Sequence, residues 1–170
     1  LNLCACTTPG SYYMQYGICN ETFGNWPFKR ACEFAADAGY TGLEIAPFTL
    51  GENPNELSSN QRGELRRTIA QAGLECIGLH WLLAKTAGLH VTSPDADTRG
   101  RTISYLTDLT RLCRDLGGKT LVFGSPQQRS LVAEVTEKDA HLFLQEVFGA
   151  LVPVLEETDT VLALEPLAPI

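Results

Sequence analysis

No apolar run in the 170-residue sequence reaches the roughly 18 residues of a transmembrane helix, which argues against a membrane-spanning chain. Positive charge is also scarce. Thirteen Lys and Arg stand against twenty Asp and Glu, a net charge of −7, so the basic surplus that grips phosphate backbones is missing and nucleic acid is not an expected partner. The turn after the first strand-like run reads NETFGN, without the G-x-G-x-x-G of a dinucleotide site. Cysteine is present, but not at metal or redox spacings. Cys4, Cys6, Cys19, Cys32, Cys76 and Cys113 form no C-x-x-C, and several fall inside apolar patterns, so they read as reduced, structural thiols of a cytoplasmic protein. Residues Leu1–Tyr13 lack the basic start and apolar core of a secretory signal. They read as an N-terminal tail, upstream of a natural start at Met14 or non-native.

From Gln15 onward, short apolar runs alternate with longer amphipathic segments, the pattern of repeated βα units that feed a parallel sheet. Strand-like runs are Tyr16–Asn20, Gly42–Ala46, Glu75–His80, Thr120–Phe123 and Val161–Glu165. The first helix is entered through Asn25 and Pro27 and presents Phe28, Ala31, Cys32, Ala35 and Ala38 on one side. Ser58 or Ser59 caps the second, which carries Leu65, Ile69 and Ala72. The third runs from about Asp97 to Leu116, with Ile103, Leu106, Leu109, Leu112, Cys113 and Leu116 on one face, and the fourth from about Lys138 to Glu157.

The longer loops always follow strands, and the turns after helices are short, with glycine in the first three (Gly39, Gly73, Gly117-Gly118). In a (β/α)8 barrel the loops after the strands build the active site, so this asymmetry predicts an α/β (β/α)8 barrel with its chemistry at the strands' C-terminal ends. Four βα units and a fifth strand make about five-eighths of such a barrel, whose usual length is about 250 residues. Residues 14–170 are therefore expected to form a barrel truncated after its fifth strand, inactive on its own.

With these elements placed, FAADAGYTGLEI (Phe34–Ile45), IGLHWLL (Ile77–Leu83), GSPQQR (Gly124–Arg129) and ALEPL (Ala163–Leu167) together resemble the sugar phosphate isomerase/epimerase superfamily, the xylose isomerase-like TIM barrels. In its ketose 3-epimerases the glutamate of an L-E-P-L segment at the end of strand five binds a divalent metal and takes part in proton transfer. Glu165 occupies that position, so the resemblance implies that it is both a metal ligand and a catalytic group. The other ligands of those relatives come from strands six to eight. Mn2+, Mg2+ or Co2+ are the implied cofactors, with Zn2+ an alternative. The implied activity is isomerisation or epimerisation of a ketose, sugar phosphate or related polyol through an enediolate.

Substrate-binding candidates are Glu44, His80, Trp81, Ser125, Gln128 and Arg129. Glu44 is a carboxylate within a short apolar strand, and His80 and Trp81 place an imidazole and an aromatic wall at a strand end. His80 is read as a substrate contact rather than a metal ligand, because no His stands at the end of strand four. GSPQQR offers Ser125, Gln128 and Arg129 as donors to hydroxyl or phosphate oxygens, with Gly124 there for an unusual backbone angle. His90 reads as a solvated loop residue, and Trp26, Phe48 and Trp81 as aromatic walls or simple packing. The expected partner is a small-molecule sugar, and a homo-oligomer is compatible with the full-length protein. A non-catalytic, degenerate sugar-binding barrel is the competing reading. An apurinic endonuclease of the endonuclease IV type is disfavoured by the acidic balance and by Gly124-Ser125 where a histidine would be needed.

Overall fold

The computed structural model describes residues 14–166, so the tail assigned to residues 1–13 lies outside the described residues. All nine expected elements form: β1 (Gly17–Cys19), α1 (Phe28–Asp37), β2 (Gly42–Ile45), α2 (Ser59–Gln71), β3 (Glu75–His80), α3 (Ala96–Leu116), β4 (Thr120–Phe123), α4 (Glu137–Thr158) and β5 (Val161–Leu164). The strands make one parallel sheet in the order β1-β2-β3-β4-β5, as successive βα units of a barrel require. Short 3-10 turns at Asn20–Phe23, Pro47–Thr49, Pro54–Glu56 and Pro126–Gln128 occupy the loops that read as irregular in sequence. Among the described residues no helix is long and apolar enough to cross a membrane.

Helix ends follow local chemistry. Ser58 and Gln61 form a capping box on α2, the Asp95 carboxylate accepts the N–H groups of Asp97 and Thr98 at the start of α3, and Thr136 accepts that of Asp139 on α4. Gly117 closes α3 at φ 91°, a left-handed angle that a Cβ would strain.

The core lies between the helices and one face of the sheet. Leu43, Ile45, Leu79, Leu121 and Phe123 project from the strands onto Leu106, Leu109, Leu112 and Leu116 of α3 and Val147 and Leu151 of α4, all buried. Alternation along each strand sends the intervening side chains to the opposite, concave face. There the register of β3 matters. Leu43 pairs with Cys76 but Glu44 pairs with Gly78, so Ile77 is an extra residue, a β-bulge. The slip resets the alternation, so that Leu79 joins the core and His80 faces the same side as Glu44. Gly78 permits it. A Cβ there would collide with the backbone carbonyl of Thr120 on the next strand.

Candidate active-site mouth

The C-terminal strand ends bring together groups far apart in sequence. Cys19 of β1 is paired with Glu44 of β2, and His80 of β3 is paired with Val122 of β4. The His80 ring bridges the first three strands: its Nε2 is 2.6 Å from the Cys19 thiol, and its Nδ1 is 3.5 Å from Glu44 Oε2. The result is a half-buried thiol–imidazole–carboxylate row. Burial chiefly pushes the Cys19 thiol up to about 11, helped by the charges of Glu21 and Glu44, so at neutral pH the sulfur carries its proton.

Asn20, next in the chain, is buried and latches this corner. Its Oδ1 accepts the Ala46 N–H at 2.9 Å and its Nδ2 donates to Thr49 Oγ1 at 2.7 Å, fixing the turn after β1 against the loop after β2. Neither Cys19 nor Asn20 is a site residue in the sequence reading. The signal available there was two polar groups, Cys19-Asn20, directly at the end of a strand, where a barrel puts its chemistry.

Trp81 rises beside His80 with a left-handed backbone (φ 56°) and is 46% exposed. It meets Phe48 edge to face at 6.5 Å, and Lys85 Nζ lies 4.2 Å from the Phe48 ring centre. Phe48 and Trp81 thus form one aromatic wall over the mouth. Trp26 does not join it, packing instead with Phe23 and Phe34 and under Arg30.

At the other side of the mouth, Glu165 is exposed, and its N–H donates to the Phe123 carbonyl at 3.1 Å. Its carboxylate lies directly over Gly124, where an added Cβ would collide with Oε2. Gly124 has no positive φ, so the unusual backbone angle read from the sequence is not adopted, and what its missing Cβ leaves is room for the exposed Glu165 carboxylate. Arg129 donates to the Glu165 carbonyl at 2.8 Å and the Phe123 carbonyl at 3.4 Å, clamping the ends of β4 and β5. Ser125 is 3% exposed and its Oγ accepts the Leu83 N–H at 3.0 Å. Gln128 is also buried, and its carbonyl accepts the Val91 N–H at 2.9 Å. GSPQQR therefore stitches the long loop after β3 to the loop after β4. His90 is half-buried in the same loop rather than fully solvated: its backbone N–H donates to Thr102 Oγ1 at 2.9 Å, its Nδ1 accepts the Thr92 N–H at 3.2 Å, and burial lowers its basicity.

Of the expected site residues, Glu44, His80 and Trp81 cluster at the β2 and β3 ends, and Glu165 and Arg129 at the β5 end, with Ser125 and Gln128 inside the loops that frame them. Members of this fold family typically use a divalent metal, and Glu165 has the oxygen donors that a hard cation takes. Among the described residues, however, no set of three potential ligands includes it, so no complete shell stands at the end of β5. A groove of about 800 Å³ opens at the other end of the strands, beside Tyr16, Gly42, Glu75, Ile77 and Lys119, where barrels keep stability and not chemistry.

Residues 32–169 match the xylose isomerase-like TIM barrel family. Comparison with curated proteins gives no match. Among solved structures, D-psicose 3-epimerase from Clostridium cellulolyticum H10, in complex with D-tagatose, is similar with a TM-score of 0.73 at 21% identity, over 89% of this chain and 52% of that one. An L-ribulose 3-epimerase gives 0.71 at 20% identity, over 89% and 49%. The 3-keto-D-glucoside 4-epimerase YcjR from E. coli gives 0.70 at 18%, over 91% and 57%. The chain spans about half the length of these structures, and at such identities the likeness is one of fold. With five consecutive parallel βα strands in barrel order and more than half of its residues matched, the chain belongs to the xylose isomerase-like TIM barrel family.

Proposed function

We propose that this chain supplies the β1–β5 side of the active-site mouth of a sugar isomerase or epimerase that moves a proton at the carbon beside a ketose carbonyl. What supports the reading is Glu165 directly after β5 with its carboxylate over Gly124, at the same end of the sheet as His80 and Trp81 after β3. Similarity to several ketose 3-epimerases supports it at the level of fold.

In this reading Glu165 removes the proton from the carbon next to the carbonyl. The C–H electron pair moves onto the carbonyl oxygen to give an enediolate, and return of a proton to the opposite face inverts the centre without net oxidation. Glu165 would offer a divalent cation one carboxylate, and such a cation would polarise the carbonyl. Trp81 stacks on the apolar face of the sugar ring or chain, Glu44 offers its remaining carboxylate oxygen to hydroxyl groups on the β2–β3 side, and His80, whose two ring nitrogens face Cys19 and Glu44, lines the wall between them. Arg129 fixes the Glu165 backbone and presents its remaining N–H groups to hydroxyl or phosphate oxygens. The four free thiols among the described residues, Cys19, Cys32, Cys76 and Cys113, support a reducing, cytoplasmic setting.

The test is solvent exchange. The full-length gene product, incubated with Mn2+ in D2O across a panel of ketoses and ketose phosphates, is expected to incorporate deuterium beside the carbonyl of one substrate class. Glu165→Gln is expected to slow that exchange about 10²- to 10⁴-fold, the usual span for a lost general base. Sugar binding by calorimetry without any exchange would instead identify a non-catalytic sugar-binding barrel.

A further inference from the structure

A second metal-binding geometry exists in the mouth, away from Glu165. Cys19 Sγ, a carboxylate oxygen of Glu21 and a ring nitrogen of His80 lie within 4.8 Å of one another, all on half-buried side chains. They come from the end of β1, the 3-10 turn that follows it and the end of β3, so the parallel pairing of the strands, and not a local sequence motif, assembles them. We propose that Cys19, Glu21 and His80 bind a borderline-soft divalent cation, Zn2+ or Co2+, with a fourth position open toward the mouth.

Donor chemistry selects the ion. Thiolate and imidazole disfavour Mg2+ and Mn2+, which prefer all-oxygen shells, and suit zinc, whose catalytic sites use three protein ligands and one exchangeable position. Glu44 fits the role of outer partner. It lies 3.5 Å from His80 Nδ1, on the side of the ring away from Cys19, as in the carboxylate–histidine–metal arrangement that fixes the ring and its tautomer. Charge fits as well. A thiolate beside Glu21 and Glu44 is unfavourable alone, and a dication removes that repulsion. The Sγ to Nε2 separation of 2.6 Å must widen to about 3.5 Å, because tetrahedral zinc holds sulfur at about 2.3 Å and nitrogen at about 2.0 Å. Small side-chain rotations suffice, since Cys19 and His80 are partly solvent-facing. Binding releases the thiol proton, so affinity rises with pH.

Cobalt substitution reads this site without reference to catalysis or to Glu165. Titrating Co2+ into the chain under reducing conditions is expected to give tetrahedral d–d bands and a near-ultraviolet thiolate-to-cobalt charge-transfer band, both displaced by one equivalent of Zn2+. Cys19→Ser is expected to abolish the charge-transfer band, Glu21→Gln to weaken Co2+ binding at least tenfold, and Glu44→Gln to weaken it about 10- to 100-fold. Glu165→Gln is expected to leave the spectrum unchanged, so failure here is separable from failure of the isomerase reading. A charge-transfer band that survives Cys19→Ser in a folded variant would place the metal on another cysteine and overturn the proposal. Absence of any band in the parent chain, or Glu21→Gln binding Co2+ as tightly as the parent, would overturn it too.

Discussion

Cys19 shows how opposing local effects settle a residue's chemistry. Contact with an imidazole can activate a thiol, yet here burial dominates, and the carboxylates of Glu21 and Glu44 add to it, raising the thiol from an ordinary 9.0 to about 11. The thiolate is the nucleophile, so a two-unit rise removes about 99% of it at neutral pH. In the metal-free chain at pH 7.5, Cys19 is therefore expected to react with iodoacetamide about 100-fold more slowly than an unperturbed cysteine. Its rate should climb tenfold per pH unit toward pH 11, as followed by peptide mass spectrometry. A fast, pH-independent reaction would mean that the His80 contact makes an ion pair instead. Sequence alone could not indicate this. Cys19 reads as a small hydrophobe in a strand, and only the register of β1, β2 and β3 gives it an imidazole neighbour.

At the scale of elements, the mouth depends on links that hold helices and loops in place. Arg62 of α2 donates to Asp115 of α3 at 2.9 Å and to the carbonyls of Leu57 and Asn55, tying the two helices and the turn before α2 together. Burial pushes the Asp115 carboxyl up, but hydrogen bonds and charge from Arg62 and Arg114 outweigh it and hold the group below the ordinary 3.8. A carboxyl depressed in the folded state contributes stability above its unfolded value and loses it as pH falls through the folded value. Arg62→Ala is thus expected to cost about 1–2 kcal/mol at pH 7 by urea denaturation. The difference should shrink as pH falls below the ordinary carboxyl value of 3.8, without vanishing, because the two carbonyl bonds do not titrate. An equal difference at both pH values would remove Asp115 from the account. The helices themselves are plain in the sequence through apolar spacing and the Ser58 cap, whereas the Asp95 and Thr136 caps emerge from the structure. The bulge at Ile77 is not, because a register slip is a property of two strands, with Gly78 its one local trace.

At the scale of the molecule, the described residues cover the sheet with helices on one face. The concave face carries Ile77, 39% exposed, while on strand β5 Val161 is 63% and Leu164 58% exposed, and among the described residues no further strand pairs with its outer edge. Such an edge is a template for pairing with another chain. The 170-residue chain is therefore expected to self-associate at tens of micromolar and above, with mass increasing in concentration-dependent light scattering. Leu164→Lys should reduce that association without lowering the midpoint of thermal unfolding, since Leu164 touches little of the core. A concentration-independent monomer would show that the edge is protected.

The sequence by itself determined the alternation of strands and helices, the parallel order that follows from it, and the loops that carry the chemistry, because periodicity, caps and turn residues act within a dozen neighbours. It also located His80 and Glu165 at strand ends and Glu44 within the second strand. The tertiary structure alone decided what these groups meet: the Cys19–His80–Glu44 row, the seating of the Glu165 carboxylate on Gly124, and the conversion of Ser125 and Gln128 into stitches between loops. Those contacts join residues up to 61 positions apart, and the pairing register that unites them is set by the packing of whole strands, which no short window of sequence contains.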